Sequence, residues 1–343
     1  MKYFFYGLVA IILFNCEKTI LGVEPSADPE TNFEIFWDDI DKHYGLFEVR
    51  GFNWDSIYSV YRPQVTPQTT LPELFEVKRQ MVEYLDDSHT FILWPNEAFY
   101  NGNSQDDAQA EAEFDFSVIN DNYLDIIDAS FEEEYLYGQL RNRNIGYLYL
   151  GSITMEDPEF GDVLLQELGH NEAMIIDLRN NTGGEDPVGA ALAGRFSNRE
   201  ELAYTVQERN GPNHSDFAGK TEYFLRQEGP VQFTKPTILL TDKITVSAAE
   251  VMMIHFKALP HITQIGDTTS GDFSDTSMRR FLPNGFQYQY SIMKFLLPDG
   301  TSLDGVGHIP DFFVENTPQD LAEGRDMVLE RALTFLFEEY GIE

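Results

Sequence analysis

The chain has 343 residues, with 23 Lys+Arg against 58 Asp+Glu, a formal net charge of −35, 42% hydrophobic residues and one cysteine. That length allows two domains, or one large domain with an appendage, and the apolar content argues against disorder. So negative a chain argues against nucleic-acid binding, and one cysteine excludes an intramolecular disulfide framework and a four-cysteine zinc site.

The N-terminus reads MKYFFYGLVAIILFNC: Lys2 precedes an apolar run from Tyr3 to Phe14. This run is shorter than the roughly 20 residues that cross a bilayer but suits the apolar region of a signal peptide. Leu13-Phe14-Asn15-Cys16 resembles a bacterial lipoprotein processing site, with Leu three residues before the cysteine. The resemblance implies a signal peptide over 1–16, with Cys16 lipidated and the chain anchored to a bacterial membrane on the periplasmic side or cell surface. An ordinary secreted protein with an incidental cysteine is the plainer alternative. Residues 17–30, with Pro, Gly and charges but no periodicity, read as a tether.

Residues 31–95 read as a helical segment, with Phe33, Phe36, Trp37, Ile40 and Tyr44, then Leu74, Phe75, Val77, Met81 and Leu85, at helical spacing. Ser88 and His89 stand at its end. Residues 96–143 read as a short β-rich insert, with a polar loop over 101–109 and strands near Phe114–Ile119 and Tyr123–Ile127. From 144 to 343 short apolar runs (Ile145–Leu150, Ala173–Leu178, Thr237–Leu240, Ile262–Ile265) alternate with helical stretches, which predicts an α/β core. A strand-like stretch, Phe286–Phe295, and a helix from about Gly324 to Tyr340 close the chain.

Two loops of the core can carry chemistry. Asp177-Leu178-Arg179-Asn180-Asn181-Thr182-Gly183-Gly184 follows a buried-type strand, and paired glycines leave backbone N–H groups uncovered for an anion; the plainer reading is a turn. Ser247 stands at a helix start after the run Pro236–Thr241, where helix amides can stabilise an anion. Ser247-x-x-Glu250 is equally the spacing of a capping box, with Glu250 reaching back to the serine amide. A serine nucleophile needs a base. His89, in Leu85-Asp86-Asp87-Ser88-His89, is the candidate, and His308 is the other loop histidine beside a functional-looking motif. Lone histidines of this kind are also often structural.

Taken in order, these pieces resemble the C-terminal-processing (tail-specific) serine peptidases, a family that includes the catalytic core of tricorn protease. The resemblance rests on Ile145-Gly146-Tyr147-Leu148, the Asp177–Gly184 loop, Thr245-x-Ser247-Ala248-x-Glu250, Gly266-Asp267-Thr268-Thr269-Ser270-Gly271, and Pro298-Asp299-Gly300 with Gly307-x-x-Pro310-Asp311. It implies a ClpP/crotonase-like α/β core carrying an N-terminal helical segment.

In the processing branch a lysine base follows the last glycine of the fourth motif; here that residue is Asp272, and Lys243 and Lys257 do not match the motif. The tricorn-like branch instead takes a Ser-His pair from the helical segment, which Ser88-His89 matches, and an acid, for which Asp304 stands where that branch has Glu. Residues 96–143 are too few for the PDZ domain that processing peptidases usually carry.

The resemblance therefore implies a serine endopeptidase acting on peptides or unfolded protein through an acyl-enzyme. Ser247 would be nucleophile, His89 base, Asp304 its orienting acid and Ser88 a supporting hydrogen-bond partner, with Gly183 or Gly184 and Ala248 lining the oxyanion hole. No cofactor or metal is implied, and the sequence carries no sign of oligomeric state. The alternative is a catalytically silent relative that binds a peptide or hydrophobic ligand in the same cleft.

Overall fold

The computed structural model of the chain describes residues 25–102, 114–130 and 134–343. The signal segment, Cys16 and most of the tether lie outside the described residues, as does most of the polar loop.

The helical segment begins where Asp28 Oδ1 accepts the Thr31 N–H at 2.9 Å and caps α1 (Pro29–His43). Phe33, Phe36 and Ile40 form its buried stripe. The short helices α2 (Phe47–Arg50) and α3 (Trp54–Tyr61) lead to α4 (Leu71–Leu85), which opens on a capping box of Thr70 and Glu73. At Asp86 the backbone turns left-handed, φ 45°, and the helix stops. Helix therefore does not reach Pro95 as expected. Residues 91–94 (Phe-Ile-Leu-Trp), branched and aromatic, form strand β1 (Phe91–Trp94), antiparallel to β2 (Ala98–Asn101).

Around residue 116 the expected strand is a helix, α5 (Phe116–Asn122). Asp115 Oδ1 accepts the Ser117 N–H at 2.9 Å and starts a turn that buries Val118 and Ile119. β3 (Leu124–Ser130) and β4 (Tyr135–Leu140) extend the core sheet, β4 pairing antiparallel with β5 (Ile145–Leu150). The core continues through α6 (Phe160–Leu168), β6 (Ala173–Asp177), α7 (Asp186–Gly194), β7 (Glu201–Glu208), β8 (Thr221–Leu225), β9 (Thr237–Thr241), α8 (Ala248–Lys257) and β10 (Ile262–Gly266). Phe286–Phe295 divides into two strands serving different sheets. In order come β11 (Arg280–Phe281), β12 (Gln287–Gln289), β13 (Met293–Leu296) and β14 (Phe312–Phe313), then α9 (Pro318–Ala322) and α10 (Met327–Tyr340).

The main sheet has the order β14-β10-β9-β6-β5-β4-β3, parallel from β14 to β5. Its central strands β6 and β9 are buried on both faces, which explains apolar runs in place of alternation. Leu148, Met174, Ile176 and Leu239 face one core with α6, α7 and α8, while Tyr147, Ile175, Ile238 and Leu240 face another with α10. A four-stranded sheet, β11-β12-β1-β2, packs under α1 and α4 and joins the helical segment to the far end of the sequence. A third sheet, β13-β7-β8, lies outside α8. Among the described residues no helix is long and apolar enough to cross a membrane.

Candidate active site

β6, β9 and β10 are neighbours in the sheet and run parallel, so the loops leaving their carboxyl ends meet side by side. The loop after β6 is pinned at several points. Asn180, left-handed at φ 58°, donates its N–H to Asp242 Oδ2 at 2.8 Å, and Asn181 Nδ2 donates to Leu150 O at 2.8 Å. The loop after β9 is stitched to it: Thr245 Oγ1 donates to Leu178 O (2.9 Å) and Val246 N–H to Asn181 O (3.1 Å).

This stitching seats Ser247 on Gly183. A Cβ on Gly183 would lie 2.6 Å from Ser247 Cβ and 3.0 Å from its Oγ, and Gly183 has φ 91°, so glycine is required twice over. Ser247 itself takes φ 63° and ψ −128° on entering α8. Such a conformation costs a residue with a Cβ about 1–3 kcal/mol and persists only where its surroundings over-determine it. Here one constraint is the Ser247 N–H, which donates to Asp272 O at 3.2 Å.

Neither half of the expected capping box forms. The Ser247 side chain makes no cap bond, and its amide is taken by Asp272. The Glu250 carboxylate turns instead to the loop after β10, accepting from Gly271 N–H (2.8 Å), Asp272 N–H (2.9 Å) and the Thr269 hydroxyl. Burial pushes its carboxyl up to about 8, against the pull of the Thr269 hydroxyl.

The oxyanion donors separate. Gly183 N–H donates to Asn181 Oδ1 at 2.9 Å and is spent within its own loop, correcting its expected role as a donor. Among the described residues, Gly184 N–H and Ala248 N–H have no acceptor, and Ala248 N is the first amide of α8.

His89 lies in the loop between α4 and β1. The buried Asp87 holds that loop: its Oδ1 accepts the His89 N–H (3.0 Å) and its Oδ2 the Thr90 hydroxyl (2.8 Å). Ser88 contributes its main chain, the N–H donating to Asp272 Oδ2 at 3.2 Å. Asp272 thus touches both the His89 loop and the Ser247 amide. Arg50, closing α2, donates to Asp86 O, to Gly271 O (2.9 Å) and to Asp272 Oδ1. Among the described residues no hydrogen bond joins the His89 ring to Ser247, and His89 Nδ1 is buried without a partner. Unliganded sites often hold such bonds open until substrate arrives.

Asp304 does not bond to His89 as expected. Its Oδ1 accepts the Phe273 N–H (3.1 Å) and its Oδ2 the Ser302 hydroxyl (3.2 Å), so this short carboxylate stays within its own surroundings. Burial raises its carboxyl to about 7, opposed by the Arg50 charge.

The other candidates are engaged by other partners. His308 is buried, its Nε2 on Glu250 O at 2.9 Å, and burial holds its imidazole down at about 3. Lys243 lies 3.6 Å from Asp267, and Lys257 donates to Gln264 Oε1 (2.6 Å) and Ile309 O (2.9 Å) at the far end of α8. Sequence reasoning missed Arg50 and Asp87 and saw Asp272 only as an absent lysine. One signal was present: Glu250 interrupts an otherwise apolar helix start, Ala-Ala-Glu-Val-Met-Met. Beside the glycine loop an apolar cleft of about 720 Å³ is lined by Phe116, Ile126, Tyr135, Leu136 and Tyr149, with Asn180 and Thr182 at its rim.

Comparison with known proteins places these loops in context. Residues 144–314 match the model of peptidase family S41, and residues 25–83 that of the tricorn protease C1 domain. The carboxy-terminal processing protease CtpA of Bacillus subtilis is 25% identical over 185 residues, 53% of this chain and 37% of that protein. CtpB of the same organism is 23% identical over 181 residues, 52% of this chain and 35% of that one. The match thus spans little more than a third of the length of these curated relatives. A candidate peptidase from Parabacteroides merdae superposes with a TM-score of 0.80 at 26% identity, covering 90% of this chain and 96% of that chain. Mature CPAF in complex with lactacystin shares the fold at TM-score 0.68 and 10% identity, covering 89% of this chain and 97% of that one.

Proposed function

Since the chain belongs to peptidase family S41, we propose that it is a serine endopeptidase that cleaves peptides or unfolded protein through an acyl-enzyme. The observation that carries this reading is Ser247, held at positive φ on the amino end of α8 over Gly183, with the amides of Gly184 and Ala248 unclaimed beside it. A serine that served only to cap the helix would need neither the strain nor the glycine.

In this mechanism Ser247 Oγ attacks the scissile carbonyl while the His89 ring takes its proton. The oxyanion accepts from Ala248 N–H and Gly184 N–H, and losing one such donor typically costs about 3–4 kcal/mol. His89 then delivers the proton to the leaving amine, and water repeats the sequence to release the acyl group. Asp304, bonded to Phe273 N–H and the Ser302 hydroxyl and buried near Arg50 and Asp272, would act on the imidazolium only through its charge, not through a hydrogen bond. The apolar cleft rimmed by Asn180 and Thr182 suits the side chains of an extended peptide.

Cys16, with the apolar run before it, supports lipid anchoring on the exported side of a bacterial membrane. Incorporation of labelled palmitate that is lost in Cys16→Ala tests the anchor.

A fluorophosphonate probe tests the chemistry. It should label wild type and Lys257→Ala but not Ser247→Ala or His89→Ala. Folded wild type that stays unlabelled beside a labelled control hydrolase would favour the silent binder. Undiminished labelling of Ser247→Ala would overturn the assignment outright.

A further inference from the structure

Where processing peptidases place a lysine base, this chain has Asp272, and every polar atom of that residue is engaged. Its N–H donates to Glu250 Oε2 (2.9 Å) and its carbonyl accepts the Ser247 N–H (3.2 Å). Its Oδ2 accepts from Ser88 N–H (3.2 Å) and the Ser270 hydroxyl (2.9 Å), and its Oδ1 from Arg50. Arg50 approaches from the helical segment and donates also to Asp86 O and Gly271 O, one carbonyl on each of the two loops. Both side chains are sealed from water, Arg50 at 3% exposure and Asp272 at 1%.

We propose that Arg50 and Asp272 are a positioning pair: by joining the main chain of the His89 loop to the loop that holds Ser247, they set the separation of base and nucleophile. The proposal rests on the assignment of Ser247 and His89 above. An ion pair this buried adds little net stability over a well-packed apolar pair, so its contribution is geometric definition. The planar guanidinium suits the task, because two coplanar nitrogens, Nη1 and Nη2, reach the two loops separately, whereas an ammonium must reach every acceptor from one freely rotating nitrogen. Asp272 cannot shift towards or away from the helical segment without carrying the Ser247 amide with it.

Inactivation of the full chain by a fluorophosphonate, followed over probe concentration, separates the limiting rate from the half-saturating concentration. Arg50→Ala and Asp272→Ala should each lower the limiting rate about 100-fold, the usual cost of roughly 1 Å of misplacement, with half-saturation unchanged. The double variant should lose less than the product of the two single losses, because the two side chains share one connection between the loops. Added methylguanidinium should restore about tenfold to Arg50→Ala and nothing to His89→Ala. Arg50→Lys, which keeps charge and stem, should melt like wild type yet still lose about tenfold in limiting rate, and it decides the matter if Arg50→Ala does not fold.

A wild-type rate in Arg50→Lys or in folded Arg50→Ala overturns the pair, as does full additivity in the double variant or a loss confined to half-saturation. Failure of the underlying assignment looks different: wild type is then unlabelled, or His89→Ala reacts normally, and the pair falls with it.

Discussion

Gly183→Ala isolates the contact on which the nucleophile rests. The new Cβ would lie 2.6 Å from Ser247 Cβ, 3.0 Å from Oγ and 3.2 Å from Ala248 N. Carbon atoms prefer about 3.5–4.0 Å, so the two loops must part by roughly 1 Å. A displacement of that size at the reacting atom costs about 100-fold in rate. The backbone adds its own penalty, about 1–3 kcal/mol for a Cβ at this positive φ, which lowers Tm by roughly 1–4 °C in a chain of this length. Rate and stability are therefore expected to fall together, and a control must separate them. Gly285 supplies it, having φ 90° against 91° for Gly183 but open space within 4 Å of where a Cβ would stand. Gly285→Ala should lose comparable stability and keep the wild-type rate. Fluorophosphonate inactivation and peptide turnover are measured well below both melting temperatures, beside thermal melts of each variant. A Gly183→Ala protein that acylates at the wild-type rate refutes the contact, and equal slowing in Gly285→Ala refutes its specificity.

Two further outcomes concern the buried charges around the site. Arg179, 2% exposed, holds Asp326 with two bonds (2.8 and 3.0 Å) and Asp177 Oδ1 at 2.9 Å, so Arg179→Met strands two buried carboxylates. Such stranding costs about 3–5 kcal/mol, and a Tm within a degree or so of wild type would contradict it. Glu250 binds its proton more tightly folded than unfolded, its carboxyl rising from 4.5 to about 8. Its contribution to stability is therefore present below pH 4.5 and is lost as pH rises towards 8. Glu250→Gln, which never ionises, should gain on wild type in urea midpoint across that window; a difference constant with pH would show that Glu250 does not titrate there.

How far the site was legible depends on how local each determinant is. The central strands β6 and β9 were readable because burial on both faces demands apolar runs, and the loops after them because Asn-Asn-Thr-Gly-Gly and Thr-x-Ser-Ala follow in sequence. α5 misled because Phe114, Phe116 and Val118 alternate like a strand, while the decision lay in one hydrogen bond at Asp115. Arg50 and Asp272 are 222 residues apart, and nothing in either neighbourhood marks a buried pair. Asp272 was visible only as the wrong residue for a lysine base; its work in holding Ser88 appears once the helical segment is docked.

Ser247-x-x-Glu250 shows why such ambiguity is physical rather than a failure of pattern. An N-cap needs extended backbone at the capping residue, as Asp28 has at φ −65° and ψ 156° before α1. Given that backbone, the same four residues would close a capping box, and the serine would be ordinary. Ser247 is at φ 63° instead, with Asp272 drawing its amide and Asn181 drawing that of Val246. Both acceptors lie outside the motif, on the loops after β10 and β6. The choice between a cap and a nucleophile is thus made by flanking loops, and the glycine that permits it, Gly183, belongs to one of them. Freed of the box, Glu250 fixes the Gly271–Asp272 amides, and through Asp272 it reaches Ser247 after all.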